Sequence, residues 1–288
     1  MACSKYEYVK SYEQSNRVLN NSWFVVRIDG CSFHEFTRSH NYDKPNDKNG
    51  LDLMNRAAES VMRKISDIII AYGQSDEYSF VFRRKTDLWG RRYEKILTYT
   101  VSLFTSSFVY YWDNFFPKIR LTYPPTFDGR IIIYPTDKDI RDYLSWRQVD
   151  CHINNLYNTC FWALVKFRNI SEKEATELLK HSVSSDKNEL LFSEFNINYS
   201  KIPKQFRKGT VLYRPRQKTK KTSSEYFNMR DIRDKEVMID DTKDSSDEDI
   251  THPIWSCKYG EITINNILKC HQDIIQDAFW IDNEYLLA

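Results

Sequence analysis

"AYGQSDEYSFVF", Ala71 to Phe82, decides the fold. An apolar run is broken at Gly73, Gln74 and Ser75, and a second apolar run follows, so the stretch reads as two strands joined in a hairpin. Two adjacent carboxylates, Asp76 and Glu77, stand at the mouth of the second strand. Upstream, "SWFVVRIDG" (Ser22–Gly30) is β-branched and aromatic and ends on Asp29 and a glycine, which makes it a first strand. The stretch from there through "YDKPNDKNG" reads as loop, with Pro45 and Gly50 as punctuation. Leu51, Met54, Ala58, Val61, Met62 and Ile65 then recur at helical spacing.

A second helix is expected over Arg91–Trp112, and "RIIIYP" (Arg130–Pro135) supplies a fourth strand. The order β-α-β-β-α-β is the split βαβ, or ferredoxin-like, arrangement, an α+β class in which both helices cover one face of an antiparallel sheet. In it the first and third strands are antiparallel neighbours. Asp29 is thereby brought beside Asp76 and Glu77.

Residues 1–135 are expected to form one region on this plan, a palm-like catalytic region where its carboxylates act together. Residues 136–288 add C-terminal helices and a short strand or hairpin at "KGTVLYR" (Lys208–Arg214), with a mobile insertion expected at 216–250. The C-terminal "NNILKCHQDIIQDAFW" returns to helical spacing. Ser171 and Glu174 form a capping box ahead of a helix.

The chain has 288 residues, of which 41% are hydrophobic and 15% aromatic, enough for a packed core without staples. Its 6 cysteines show no C-x-x-C spacing, and no signal peptide or membrane-length apolar run is visible. A reducing compartment is expected, the cytosol or nucleus, with mitochondrial entry left open. No membrane partner is expected. The net charge of +2 says little by itself, but basic runs at Arg83–Lys95 and Arg214–Lys221 alternate with the acidic Ile239–Ile250.

Carboxylates converging on one sheet edge repel one another unless a cation lies between them. Mg²⁺ held by one or two carboxylates and substrate phosphates is the usual solution, and two such ions about 3.5–4 Å apart hold the oxygens of a phosphoryl displacement. The glycine after Asp29 permits close approach of its backbone. Arg27, on the same strand face as Asp29, and Lys44, in the following loop, can neutralise phosphate. A non-catalytic RNA-binding module of the same topology is the competing reading, "YSFVF" standing where stacking aromatics would lie. A palm-type cyclase or conventional polymerase acting without tRNA is a third.

The segments "RIDGCSFHEF", "KPND", "AYGQSDEYSFVF", "FDGR", "DYLSWRQVDCHINNLYNTCFWAL", "DKNELLFSEFNINY" and "RKGTVL", in this order, resemble the tRNA(His) guanylyltransferase family. The resemblance implies addition of a guanylate to the 5′ end of tRNA(His): ATP adenylylates the 5′-monophosphate, and the 3′-hydroxyl of GTP then displaces AMP. It implies two Mg²⁺ ions held by Asp29, Asp76 and the Gly30 carbonyl, with Glu77 as supporting acid. Nucleotide contacts are implied at Arg27, Gly30, Cys31, Ser32, Phe33, His34, Lys44, Asp47, Ser75 and Asp76. Contacts with a second triphosphate or the RNA 5′ end are implied at Arg27, Arg92, Lys95, His152, Asn155 and Lys187. It further implies a homotetramer, a dimer of dimers, with tRNA(His), GTP and ATP as partners. Cys31 and Thr37 depart from the family pattern, and Trp146, Phe161 and Trp162 read as core.

Overall fold

The computed structural model describes residues 4–215 and 267–288; the expected insertion at 216–250 lies outside them. Strand β1 (Trp23–Gly30) is followed by helix α1 (Phe33–Ser39) and helix α2 (Lys48–Lys64). Strands β2 (Ile68–Gln74) and β3 (Glu77–Phe82) form the expected hairpin, its tight turn reached through Ser75 at φ 49°. Helices α3 (Tyr93–Tyr110) and α4 (Trp112–Phe115) lead to strand β4 (Phe127–Tyr134). The long helix α5 (Asp137–Phe167) precedes α6 (Glu172–Leu179), α7 (Ser184–Phe195) and α8 (Lys204–Lys208). Strands β5 (Thr210–Tyr213) and β6 (Leu268–Cys270) and helix α9 (Asp277–Asp282) complete the described residues.

The six-stranded sheet has the order β4-β1-β3-β2-β5-β6, with every neighbouring pair antiparallel. Its strands β4-β1-β3-β2 are the split βαβ expected from the sequence, and β5 and β6 extend the sheet beyond β2. Alternation then assigns the two faces. Phe24, Val26, Ile28, Tyr78, Phe80 and Phe82 pack with α2 and α3, whereas Trp23, Val25 and Val81 pack under α5 and the C-terminal segment. A third cluster, around Leu156, Cys160, Leu164 and Leu191, joins the end of α5 to α6 and α7.

Two segments differ from the sequence reading. The stretch taken as loop after Gly30 contains α1, whose Phe33 and Phe36 are buried against Phe108 and Trp112, and its last residues, through Gly50, already belong to α2, which the Asp47 side chain caps. Seven residues offer too few turns for a period to show, and the helix is secured by aromatic packing. Within the C-terminal segment Leu268–Cys270 is a strand rather than a helix: it pairs with β5 and extends the sheet. The sheet edge supplies backbone partners that outweigh the weak helical spacing.

Long-range polar contacts fasten the pieces. Thr136 and Asp139 close a capping box at the start of α5, and Trp23 Nε1 donates to Asp137 at 2.6 Å. Gln148 is buried and donates to the carbonyls of Lys208 and Gln272, while its oxygen accepts from the Ile274 amide at 2.8 Å. The C-terminal segment is thereby held on α5. Among the described residues no helix is long and apolar enough to cross a membrane.

Candidate active site

The register of β1 and β3 places Asp29 opposite Glu77, and the Gly30 amide donates to the Asp76 carbonyl at 3.1 Å. The carboxylates of the two sequence-distant segments therefore meet at one end of the sheet. Asp76 sits in the hairpin turn, where Ser75 Oγ donates to its Oδ1 at 2.9 Å. Burial pushes the Asp76 carboxyl above its ordinary range, the Ser75 hydroxyl opposes this, and the negative charge of Asp29 adds to the rise.

Glu77, on the same sheet face as Asp29, lies under α5. Its Oε2 accepts from Arg147 Nη1 at 3.2 Å, and Arg147 Nη2 reaches Asp150 Oδ2 at 2.7 Å. Burial raises the Glu77 carboxyl to about 7, against the opposing influence of Arg147 and Arg27. Its Oε1 is buried with no partner among the described residues, as are the Nε atoms of Arg27 and Arg147.

Asp29, Asp76 and Glu77 line a cleft of about 700 Å³ enclosed by α1, the loop before α2, the hairpin turn and α5. Phe33, His34, Lys44, Asp47, Ser75 and Asn155 line it as well. Lys44 Nζ donates to Thr37 Oγ1 at 3.0 Å, and burial lowers its pKa, with Arg38 adding to the drop. Asp47 caps α2: Oδ1 accepts from the Gly50 amide at 2.8 Å and Oδ2 from the Asp43 amide at 2.9 Å. The loop is tied to α5 twice, by Lys166 Nζ on the Lys44 carbonyl at 2.7 Å and by Asn46 Nδ2 on Asn155 Oδ1 at 2.9 Å. Asn155 is 6% exposed and spends its amide nitrogen on Tyr199 Oη at 3.0 Å.

Other residues named from the sequence stand outside this lining. Cys31 and Ser32 border a smaller cavity with Tyr123 and Thr126. Gly30 contributes backbone at the end of β1, and Arg27 lies two residues before Asp29 on the α5 face. Arg92 and Lys95 begin α3, where Arg92 Nε donates to the Trp89 carbonyl at 3.3 Å and the Lys95 ammonium stands 5.5 Å from the Trp89 ring. His152 is exposed on α5, 3.5 Å from Tyr199 Oη, and burial together with Arg207 and Lys208 lowers its pKa. Lys187 Nζ donates to the Ser182 carbonyl at 2.6 Å at the start of α7.

Two neighbours of the carboxylates escaped the sequence reading. Arg147 pairs across the fold with Glu77, and the only local trace is the i,i+3 spacing of Arg147 and Asp150 on one helix. Asp128 lies directly opposite Asp29 on β4, within "FDGR". Trp146, read as core, is 54% exposed, and Phe161 and Trp162 line the cleft. Helical spacing alone cannot tell which side of α5 lacks a neighbour.

Among the described residues no three His, Cys, Asp or Glu side chains are grouped to hold a metal. A magnesium site does not require such a cage, since substrate phosphates and water supply most of its ligands. Asp29 and Asp76, with the backbone of Gly30, fit that donor set. Burial first, and then the nearby charge of Asp29, raises the Asp76 carboxyl.

Comparison with known proteins gives a consistent result. A family model described as tRNAHis guanylyltransferase matches residues 6–135, and one described as the Thg1 C-terminal domain matches residues 138–276. The chain is 44% identical over its whole length to the tRNA(His) guanylyltransferase of Neurospora crassa, covering 97% of it. It is 51% identical to that of Schizosaccharomyces pombe, over 74% of this chain and 82% of the relative. The crystal structure of the enzyme from Saccharomyces cerevisiae superposes with a TM-score of 0.70 at 44% identity, covering 73% of this chain and 93% of that one. A bacterial Thg1-like protein in complex with ATP shares the fold, with a TM-score of 0.62 at 24% identity over 73% of this chain and 88% of that one. With its sheet, its paired strand-end carboxylates and matches spanning both halves of the sequence, the chain belongs to the tRNA(His) guanylyltransferase family.

Proposed function

We propose that this protein adds a guanylate to the 5′ end of tRNA(His), using ATP to activate the 5′-monophosphate and the 3′-hydroxyl of GTP to displace AMP. The observation that carries the reading is the meeting of Asp29, Asp76 and Glu77 at the wall of one cleft, in a chain of this family. Asp29, Asp76 and the Gly30 carbonyl would hold Mg²⁺. Bound there, two divalent ions would stabilise the charge on the attacking and leaving oxygens of each displacement.

The chain's own groups bind and orient. Lys44, its ammonium fixed on Thr37, offers positive charge to a triphosphate, while the ties from Lys166 and Asn155 hold the loop that carries it. Arg147 holds Glu77 against the sheet with Asp150. Lysine and arginine contacts to phosphate make RNA affinity fall as salt rises. A homotetramer, a dimer of dimers, in a cytosolic or nuclear compartment completes the proposal.

The test is incubation of purified protein with 5′-phosphorylated tRNA(His), ATP, Mg²⁺ and GTP labelled at the α-phosphate. Label at the 5′ end is expected. A folded preparation that transfers none overturns the reading.

A further inference from the structure

We propose that Trp146 is a stacking platform for an unpaired base at the acceptor end of the RNA, beside the catalytic carboxylates. The inference rests on the reading of the substrate as tRNA. Trp146 is 54% exposed on α5, and Val149 and Ile153 continue the same helix face at 40% and 52% exposure. Large apolar side chains gathered on one helix face are ordinarily covered by something.

The indole is also fixed in place. The Arg147 guanidinium stands 3.9 Å from its ring centroid, and the Tyr143 ring meets it at 6.2 Å and 64°. Arg147 cannot swing away, because it is 5% exposed and bonded to both Glu77 and Asp150. Tyr143 is anchored in turn by its hydroxyl, 2.7 Å from Ser79 Oγ. A ring supported by a cation on one side, with more than half of the residue open, is the element that single-stranded nucleic acids use, since every base has a π-face.

Position and charge identify the occupant. The Arg147 guanidinium lies between the indole and Glu77, so Trp146, which stands outside the cleft lining, places a base resting on it at the rim of the cleft rather than within it. Arg27 lies close enough to act electrostatically on both Glu77 and Tyr143, and its buried Nε has no acceptor among the described residues. Arg130 is its cross-strand partner on β4. Aromatic surface with Arg147 against it and Arg27 close to the neighbouring Tyr143 suits an RNA end better than an apolar peptide.

The test compares the full-length protein with Trp146→Ala and Trp146→Phe. Binding is read with tRNA(His) carrying 2-aminopurine at the unpaired nucleotide facing the reacting 5′ end, and turnover with labelled GTP. Wild type is expected to quench 2-aminopurine fluorescence. Trp146→Ala should lose the quench and raise the KM for tRNA about 5- to 150-fold, the range that base stacking spans, with the KM for GTP unchanged. Trp146→Phe should restore most of both. Unchanged quenching and tRNA KM in Trp146→Ala would overturn the proposal. So would a change in the size of the assembly by sedimentation with RNA binding intact, which would mark the face as a contact between copies. Failure of wild type to transfer label would instead refute the proposed activity, while the quenching comparison would still decide the stacking role.

Discussion

Glu77 makes the protein less stable as pH rises, and replacing it with glutamine should remove that dependence. Its carboxyl titrates near 4.5 when exposed but at about 7 in the fold, because burial outweighs the help from Arg147 and Arg27. Between these values the unfolded chain has released a proton that the folded chain retains, so stability declines from about pH 4.5 to about pH 7 and then levels off. At 1.36 kcal/mol per tenfold change in proton affinity, the full decline is about 3 kcal/mol. Glu77→Gln cannot ionise but keeps nearly the same shape. Urea unfolding in chelated buffer should find the two proteins equally stable at pH 4, with the variant about 3 kcal/mol ahead at pH 8. Turnover should move the opposite way, since Arg147 loses its charged partner. Parallel stability profiles across this range would refute the reasoning.

Further outcomes follow from the same contacts. Asp76→Ala should lower guanylate transfer on the order of 10³-fold, several kcal/mol of lost charge stabilisation, with the circular dichroism spectrum and tRNA binding largely retained. Arg91 is 3% exposed and donates to the carbonyls of Val18, Leu19, Ser22, Arg84 and Thr86. Arg91→Ala should therefore cost about 3 kcal/mol or more in urea unfolding, whereas Lys85→Ala should be nearly neutral. A Cβ at Gly73 would run into the Tyr78 ring, whose hydroxyl bonds Asn55. Gly73→Ala should thus cost about 1–3 kcal/mol by the same measurement. Lys166→Met should release the Lys44 carbonyl and raise the KM for nucleotide while leaving the unfolding midpoint nearly unchanged.

The carboxylate pair was legible because two independent signals agree on it. Apolar runs rich in β-branched and aromatic residues marked the strands that end at Asp29 and begin near Glu77, and the split βαβ order made those strands neighbours. The α2 stripe was legible in the main: Met54, Ala58, Val61, Met62 and Ile65 are buried as their spacing implies, whereas Leu51 is half-buried and Leu53 and Ala57 take the core positions beside it. Arg147 was not, because its partner lies 70 residues upstream and meets it only once α5 crosses the sheet. Asn155 carried a chemical expectation, but its burial between Asn46 and Tyr199 depends on three segments distant in sequence. Trp146 misled in the opposite direction: its type suggests core, and only the packing of α5 shows which face was left open. Pairing of β6 is likewise invisible locally, since three residues carry no period and β5 supplies the edge.

The central claim concerns divalent metal at the end of β1 and the hairpin turn. Crystals soaked with GTP and Mn²⁺, measured by anomalous diffraction, test it most directly. Peaks are predicted beside Asp29, Asp76 and the Gly30 carbonyl, within reach of the triphosphate. A well-ordered GTP in the cleft with no anomalous peak at these residues would contradict the account.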